Sequence, residues 1–236
     1  MLTQPLLFGY GLLDGPMIAQ SDNYLQCLDS CEQSELVRRN YKVASRSAQY
    51  IYGRLLLKII LSPAMGVSAR SLSIRTGTSG QPLLLASSAS ADHLSVSISH
   101  DRDRLFVAAC SRCRCGVDIQ ALHGVDWPLV MRAMGWSERV EHCFRTAIEA
   151  HGVVCMNLAV FSAMIWSAYE AWMKVTVCAL DATDFVWQRI SLIETDPVTH
   201  YHIFEMALAE RRPYNQVRIL LSLRSNEVLA VATVAS

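Results

Sequence analysis

Two acidic side chains each interrupt an apolar segment of this sequence. Asp118 lies in CGVDIQ at 115–120, which has the composition of a buried strand, and Glu170 lies in WSAYEAWMK at 166–174, which follows a long apolar run. A carboxylate in such a place costs several kcal/mol unless it is paired or holds a cation. Both residues are therefore candidate ligands for a cation.

The spacing also allows a simpler interpretation. Lys174 lies four positions after Glu170, and an i,i+4 ion pair on a helix contributes a few tenths of a kcal/mol. Taken alone, that pair favours a structural role. In the strand, alternation places Asp118 and Gln120 on one face. The residues by themselves leave a structural pair and a metal site both open.

A third candidate cluster is CSRCRC at 110–115, with thiols at C-x2-C-x-C spacing. A structural zinc needs four ligands, and His93 or His100 would have to complete the set. We expect instead that the eight cysteines of this chain are mostly small buried residues and not a disulfide framework.

Composition limits the classes of protein that can be considered. The chain has 236 residues, is 52% apolar, and carries 21 basic and 21 acidic residues. This predicts a continuous core and no overall field that attracts nucleic acid or an anionic membrane, so any anion site must be local. The first residues lack the features of a secretory signal, and the apolar run at 153–166 is too short to span a bilayer. We expect a cytoplasmic protein without nucleic-acid or membrane partners.

The elements that must position the candidate residues begin with a helix. Residues 35–61 have apolar positions at helical spacing, and Ser62-Pro63 is expected to end the helix. The basic residues on its polar side are expected to form, for the most part, a solvated face: Arg38, Arg39, Lys42, Arg46, Arg54 and Lys58.

Short strands follow this helix. Residues 94–99 alternate between apolar and small polar side chains, which is typical of a half-buried strand. Two more strands are predicted at 105–110 and 115–119, on either side of the turn SRCR. An antiparallel meander of the three is the simplest assembly.

The second half repeats this order. Residues 127–149 are expected to be helical in at least two pieces, and 153–177 to form one long, largely buried helix. The last predicted strands are 184–192, 201–207, 216–223 and 227–234. Helices and strands in blocks predict an α+β fold.

The ordered set of motifs resembles the 4'-phosphopantetheinyl transferase superfamily, in its larger, pseudo-dimeric form associated with surfactin synthetase. The family signature runs G-K-P, N-[IL]-S-H-S, [VI]-G-[IV]-D-[IV]-E and [FW]-[ST]-x-K-E-[AS]-x-x-K. The corresponding segments here are GQP at 80–82, VSISHD at 96–101, GVDIQ at 116–120 and WSAYEAWMK at 166–174. GRLLLK at 53–58 is also similar to the first long helix of the family. The ordered set is more specific than any single motif.

The resemblance implies an architecture. It implies two similar fused subdomains, each a long helix packed on a small, mainly antiparallel sheet, with the site at their interface. We place these halves at residues 1–121 and 122–236. Because both walls of the site would come from one chain, we expect a monomer.

The resemblance also implies an activity. The family transfers 4'-phosphopantetheine from coenzyme A to a serine of an acyl, aryl or peptidyl carrier protein and releases adenosine 3',5'-bisphosphate. Asp118 and Glu170 match the acids that bind Mg²⁺, a cation that one or two carboxylates hold together with phosphate oxygens. Lys174 matches a phosphate contact that stabilises the leaving group.

Further site residues are carried over from the family motifs. Glu138 matches a glutamate that takes the serine proton, directly or through water, although an ordinary charge in a first helical turn is an equal alternative. Ser99 and His100 match residues that bind the 3'-phosphate of the coenzyme. Arg46 and Arg75 match further coenzyme contacts after a shift of one residue.

The chain departs from the family pattern at several positions. Gln120 replaces the second acid of the D-x-E pair, while Gln81 and Tyr169 replace lysines. The segment VCAL at 177–180 replaces Gly-Lys-Gly-Leu. These changes predict weaker binding of the metal and of the coenzyme. They leave two alternatives open: a degenerate homologue that binds coenzyme A or a carrier without transfer, and chance motifs in an unrelated α+β protein.

Overall fold

The computed structural model describes residues 6–85, 94–111, 113–136, 138–150, 157–176, 187–196, 201–208, 217–224 and 226–235. Its contacts divide the chain into two units, Met1–Cys115 and Gly116–Ala235. We call these the N-terminal and the C-terminal unit.

The N-terminal unit combines helices with short antiparallel strands. Its elements are β1 (Leu6–Leu12), α1 (Gly15–Ala19), α2 (Ser30–Arg39), α3 (Ala44–Met65), β2 (Ser73–Thr76), β3 (Pro82–Leu85), β4 (Leu94–Asp101), β5 (Arg104–Ser111) and the start of β6 (Cys113–Ala121). One antiparallel sheet has the order β1-β5-β4, and β2 pairs with β3 in a hairpin. Leu57 and Leu61 of α3 pack on Val107 of β5 in the core of this unit.

The helix predicted at 35–61 is in fact two helices, so that prediction is wrong. Asn40 adopts a left-handed conformation (φ 46°) and ends α2, as a C-terminal cap commonly does. Pro63 does not end α3 either. It lies in the last turn, and the helix ends at Gly66, which also has a positive φ (64°). Proline has no N–H to donate to the carbonyl four residues earlier, so Pro63 removes one hydrogen bond of the helix without ending it.

The N-terminus of α2 is capped by its own sequence. The Asp29 carboxylate accepts hydrogen bonds from the backbone N–H groups of Cys31 and Glu32, and the Glu32 carboxylate accepts one from the backbone of Asp29. This is a reciprocal capping box.

The solvated polar face predicted for α3 is wrong at two residues. Lys58 is 1% exposed and its Nζ lies 2.6 Å from Oε2 of Glu32, which is also buried. Oε1 of Glu32 accepts a hydrogen bond from the backbone N–H of Ile74. Arg54 is 6% exposed and contacts β2 through the carbonyl of Ile74. Buried charges of this kind are stable only when they are paired and hydrogen-bonded.

The predicted meander is also wrong, because its third strand pairs elsewhere. β4 and β5 form an antiparallel hairpin, but β6 lies beside β10 in another sheet. Cys110 and Cys113, at the connection from β5 to β6, form a disulfide with their Cα atoms 5.7 Å apart. The expectation of separate buried thiols is therefore wrong for this pair, whereas Cys115 is a buried free thiol.

The C-terminal unit is a long helix on an antiparallel sheet. Its elements are the remainder of β6, α4 (Trp127–Ala133), α5 (Glu138–Glu149), α6 (Leu158–Thr176), β7 (Trp187–Asp196), β8 (Tyr201–Leu208), β9 (Val217–Arg224) and β10 (Glu227–Ala235). The sheet order is β6-β10-β9-β8-β7. Within it, β7 pairs with β8, β8 with β9 and β9 with β10, each time antiparallel. Apolar side chains of α6, such as Phe161 and Ile165, share a core with Phe204 and Ile219 of the sheet.

The predicted helices and strands of this half are confirmed where they can be compared. The region 127–149 forms two helices, and the last strands agree with the prediction within a few residues. The helix predicted at 153–177 is observed from Leu158 to Thr176, and its remaining residues at 153–156 and 177 lie outside the described part. Together the units make this an α+β protein. Among the described helices, none is long and apolar enough to cross a membrane.

Candidate functional site

In the C-terminal unit, β6 and α6 approach so closely that one position must be glycine. A Cβ atom at Gly116 would overlap the carbonyl oxygen of Ala171 and lie 2.7 Å from the backbone nitrogen of Val175. Because side chains alternate along a strand, Asp118 projects from the same face as Gly116. The close contact therefore brings Asp118 to the helix that carries Glu170 and Lys174.

The Asp118 carboxylate is 2% exposed and is surrounded by hydrogen-bond donors. Its Oδ1 lies 2.9 Å from Nζ of Lys174. Its Oδ2 accepts hydrogen bonds of 3.0 Å from Ser167 Oγ and from Gln120 Nε2. Lys174 also donates to the carbonyl oxygen of Val117, at 2.9 Å. These contacts offset the cost of burying the charge.

Glu170 lies beside this pair but does not join it. No described residue forms a hydrogen bond or an ion pair with its carboxylate, so the simple i,i+4 pair with Lys174 is not formed. Burial raises the pKa of Glu170. The Lys174 ammonium lowers this pKa, the Asp118 carboxylate raises it, and the net result lies above the ordinary value. Asp118 is thus close enough to Glu170 for its negative charge to disfavour the charged form of Glu170.

These residues fit a divalent cation held mainly by ligand oxygens. Magnesium sites commonly use one or two carboxylates together with phosphate oxygens and water, and the half-buried Glu170 beside Asp118 offers such a pair. Within the described ranges, no group of three or more His, Cys, Asp and Glu side chains is arranged to hold a metal. Lys174 already neutralises Asp118 and would compete with a cation.

The N-terminal unit contains a cleft of about 340 Å³ that is lined by several basic side chains. Its walls come from α2, α3, β2, β3 and β4. The lining residues are Arg39, Tyr41, Arg46, Gln49, Tyr50, Arg54, Thr76, Gly80, Pro82, Ile98 and His100. Two predicted coenzyme contacts, Arg46 and His100, are therefore brought together.

Arg46 and His100 are in direct contact in this cleft. Nη1 of Arg46 lies 3.4 Å from Nδ1 of His100 and donates to Oε1 of Gln49 at 3.3 Å. Gln49 is buried and donates through Nε2 to the carbonyl oxygen of Arg102, in the turn between β4 and β5. Gln49 therefore links the Arg46 side chain to the strand end that carries His100.

A second network in the cleft surrounds Thr76. Its hydroxyl donates to the Glu35 carboxylate and accepts hydrogen bonds from Arg39 (3.1 Å) and Arg54 (3.0 Å). The guanidinium carbon of Arg54 lies 3.4 Å from the centre of the Tyr50 ring. This network fixes two arginines around one carboxylate, so the cleft keeps an excess of positive charge.

The same network shifts the titration of Glu35. Burial raises the pKa of its carboxyl group. The hydrogen bonds from Thr76 and Arg39, with the positive charges of Arg54 and Arg39, outweigh burial and leave the pKa below its ordinary value. Glu35 thus stays ionised and holds both arginines in place.

The other predicted site residues lie apart from these contacts. Ser99 is buried and does not line the cleft. Nε of Arg75 donates to Ser73 Oγ at 2.9 Å, and Arg75 is also outside the cleft lining. Glu138 is the first residue of α5, and its side chain falls outside the described part of the structure.

Gln81, in the position of the family lysine, is turned away from the cleft. Its side-chain amide packs against Gly77, where a Cβ atom would lie 2.8 Å from the Gln81 Cδ. Oε1 of Gln81 is buried without a hydrogen-bond partner among the described residues. Gly80 and Pro82 line the cleft, but Gln81 does not.

Sequence reasoning missed the contributions of Arg39, Arg54 and Thr76 to the cleft. The sequence could have indicated that Arg54 is buried, because it is followed directly by the apolar residues of GRLLLK. Lys58, at the end of the same segment, is buried as well. Thr76 carried no comparable signal, because its role depends on partners from α2 and α3.

Comparison with models of known protein families gives no match. Comparison with curated proteins likewise gives no significant match. The interpretation of the site therefore depends on its own geometry and on the motif resemblance.

Proposed function

We propose that this protein is a Mg²⁺-dependent 4'-phosphopantetheinyl transferase that modifies a serine of an acyl, aryl or peptidyl carrier protein. The observation that carries the proposal is the contact between Asp118 of β6 and Lys174 of α6, which lies one helical turn after Glu170 on the same helix. Two carboxylates and one ammonium at one place suit a diphosphate bridged by a metal ion.

The cleft of the N-terminal unit, considered by itself, supports binding of a phosphate group. Arg39, Arg46 and Arg54 line it together with His100, and guanidinium groups bind phosphates through paired hydrogen bonds. Arg46, which is exposed, is the group most available to a bound phosphate. We assign this cleft to the 3'-phosphate of coenzyme A.

The fold gives further support. In each unit a long helix, α3 or α6, packs on an antiparallel sheet. A long helix on a sheet in each unit is compatible with the two subdomains that a pseudo-dimeric transferase would have. It is a weaker argument than the site residues, because one fold serves many functions.

In the proposed reaction, the serine oxygen of the carrier bonds to the pantetheine-side phosphorus of coenzyme A. The bond from that phosphorus to the bridging oxygen breaks, and adenosine 3',5'-bisphosphate leaves with the electron pair. Asp118 and Glu170 would hold the Mg²⁺, which neutralises charge on the diphosphate. Lys174 would move from Asp118 to a phosphate oxygen, and Glu138 is proposed to receive the serine proton, directly or through water.

Mass spectrometry of a carrier protein provides the test. An apo acyl or peptidyl carrier incubated with the protein, coenzyme A and Mg²⁺ should gain the mass of one phosphopantetheine group. The gain should lie on the peptide that contains the acceptor serine. Asp118→Asn should abolish this gain, and Arg38→Ala, at an exposed arginine outside the cleft lining, should not. Unchanged labelling by folded Asp118→Asn would reject the metal role of Asp118.

A second candidate is binding of coenzyme A or of a carrier without transfer. It is favoured by Gln81, which leaves the cleft without the family lysine, and by the Lys174 ammonium at Asp118. Thermal stabilisation by coenzyme A with no mass gain on any carrier class would establish this alternative.

A further inference from the structure

The N-terminal unit has a second, chemically different cavity of about 520 Å³. It lies between α3, the end of β1, α1 and the turn that precedes α2. Its walls are almost entirely apolar and include Leu13, Met17, Tyr52, Leu55 and Leu56. A volume of this size is within the range of small-molecule sites.

The mouth of the cavity exposes large apolar side chains. Leu12 is 54% exposed and Ile59 is 63% exposed, and both line the cavity with the half-exposed Tyr24. Apolar groups are gathered here around a concavity and are not scattered singly over the surface, which is typical of a ligand site.

Of the two basic side chains that line the cavity, Lys58 is paired and Arg70 is available to bind an anion. The Tyr52 hydroxyl donates to the carbonyl oxygen of Met17, and the Lys58 ammonium is held by Glu32. Arg70 lines the cavity and is exposed. Its guanidinium forms no hydrogen bond or ion pair with any residue that the structure describes.

We propose that this cavity binds a medium-chain aliphatic carboxylate, with its chain between α3 and β1 and its carboxylate at Arg70. The apolar walls match the chain, and the Arg70 guanidinium at the rim, which pairs with none of the described residues, matches a single anionic group. This site is separate from the arginine-rich cleft, with which it shares no lining residue. The proposal does not depend on the transferase activity.

The first test is calorimetric titration with decanoate below its micelle concentration. We expect saturable binding of one decanoate per chain. Each methylene removed from the water should strengthen binding about fourfold, so octanoate should bind roughly fifteenfold more weakly than decanoate. Absence of saturable binding to the wild-type protein would overturn the proposal.

Variants at Arg70 test the polar end of the site. Arg70→Ala should weaken decanoate binding roughly fivefold, the loss expected for one charge-assisted contact at an exposed rim. It should leave decanol binding unchanged, and the matched Arg38→Ala should affect neither ligand. Equal weakening of decanoate and decanol by Arg70→Ala would contradict the assigned orientation.

Variants at Gly11 test the apolar end. A Cβ atom at Gly11 would lie 3.6 Å from Leu56 Cδ2, an ordinary contact. Gly11→Ala should therefore keep binding, whereas Gly11→Val should weaken it roughly tenfold or more by filling the cavity. Circular dichroism would confirm that both variants are folded, and Leu55→Phe provides a second filling variant from the helix side. Unchanged affinity in a folded filling variant would reject this cavity as the site.

A membrane surface is the main competing partner for an apolar patch with a cation. Flotation with phosphatidylglycerol vesicles distinguishes the two. Vesicle binding without saturable decanoate binding would replace the proposed ligand by a membrane, whereas decanoate binding that depends on Arg70 and Gly11 supports the ligand site.

Discussion

Nζ of Lys174 lies 2.9 Å from Oδ1 of Asp118, although 56 positions separate the two residues in the chain. One of the two interpretations of the sequence paired Lys174 with Glu170, four positions earlier on the same helix. The observed pair instead joins α6 to β6 and leaves the Glu170 carboxylate without an ion pair to any described residue. The Lys174 ammonium thus lies beside the carboxylate to which we assign the metal ion of the proposed reaction.

Replacing Lys174 by methionine should remove this internal cation. Lys174→Met leaves Asp118 buried beside neutral donors that include Ser167 and Gln120. It should lower the free energy of unfolding by about 2 kcal/mol, less than for a fully buried partner because Lys174 is partly exposed. Millimolar Mg²⁺ should then stabilise the variant more than it stabilises the wild type, as measured by urea denaturation. Lys42→Met, at an exposed lysine, is the control; an equal Mg²⁺ effect in all three proteins would contradict competition at Asp118.

Glu170→Gln should alter the pH dependence of stability in a defined direction. The folded pKa of Glu170 is raised above its ordinary value of 4.5. As the pH rises through 4.5, the unfolded state loses its proton before the folded state does. The stability of the wild type therefore falls with pH until the folded pKa is passed, and above that pH it stays at the lower level. The variant should therefore match the wild type in acid and exceed it at neutral pH. Denaturant midpoints across this range provide the measurement.

Glu35→Gln is the matched control and should show the opposite sign. The pKa of Glu35 is lowered, so its contribution to stability is fully present above the ordinary pKa of 4.5 and is lost as the pH falls through the folded pKa. This variant should be less stable than the wild type at neutral pH. Difference curves of the same sign for the two variants would show that one of the two environments is misassigned.

Gly116→Ala should disrupt the C-terminal unit. The added methyl group would overlap the carbonyl oxygen of Ala171 in the backbone of α6, and backbone cannot rotate away as a side chain can. We expect a loss of about 3 kcal/mol or more. Gly15→Ala is the control, since a Cβ atom there meets nothing within 4 Å. Thermal unfolding of both variants tests this, and a neutral Gly116→Ala would mean that β6 and α6 are further apart.

Arg46→Ala should weaken binding of adenosine 3',5'-bisphosphate to the cleft. Loss of one guanidinium contact to a phosphate should reduce the affinity roughly tenfold. Arg46 is exposed, so thermal stability should change little. Calorimetry at two salt concentrations measures the effect, which should be smaller at high salt. Wild-type affinity in this variant would remove the cleft from the coenzyme site.

The local elements were largely predictable because they depend on local patterns. The alternation at 94–99 and the apolar run before WSAYEAWMK identified β4 and α6, and both are observed. The α+β class followed from the order of such blocks. The break at Asn40 was missed because apolar spacing continues on both sides of it, and only the left-handed backbone of that residue marks the end of α2.

Long-range pairing was less predictable. β6 pairs with β10 rather than with its neighbour β5, and nothing in the local sequence of 113–121 distinguishes these partners. The burial of Arg54 and Lys58 was missed for the same reason. Their partners, Glu35 and Glu32, come from another helix, so helical periodicity alone assigned them to the solvated face.

The candidate site was predictable only in part. Asp118, Glu170 and Lys174 are brought together, as are Arg46 and His100. Ser99 and Arg75 lie outside the cleft lining, because strand alternation turns Ser99 to the face opposite His100 and Arg75 contacts Ser73. Their roles as coenzyme contacts stay predictions.

The Glu32 carboxylate has a consequence for how the N-terminal unit assembles. One side chain closes the first turn of α2, accepts a hydrogen bond from β2 at Ile74 and neutralises Lys58 of α3. The Asp29 N–H, the Ile74 N–H and the Lys58 ammonium all bind this one carboxylate. We therefore expect these segments to become ordered together, and their most protected amide protons should report one common free energy of opening in hydrogen exchange.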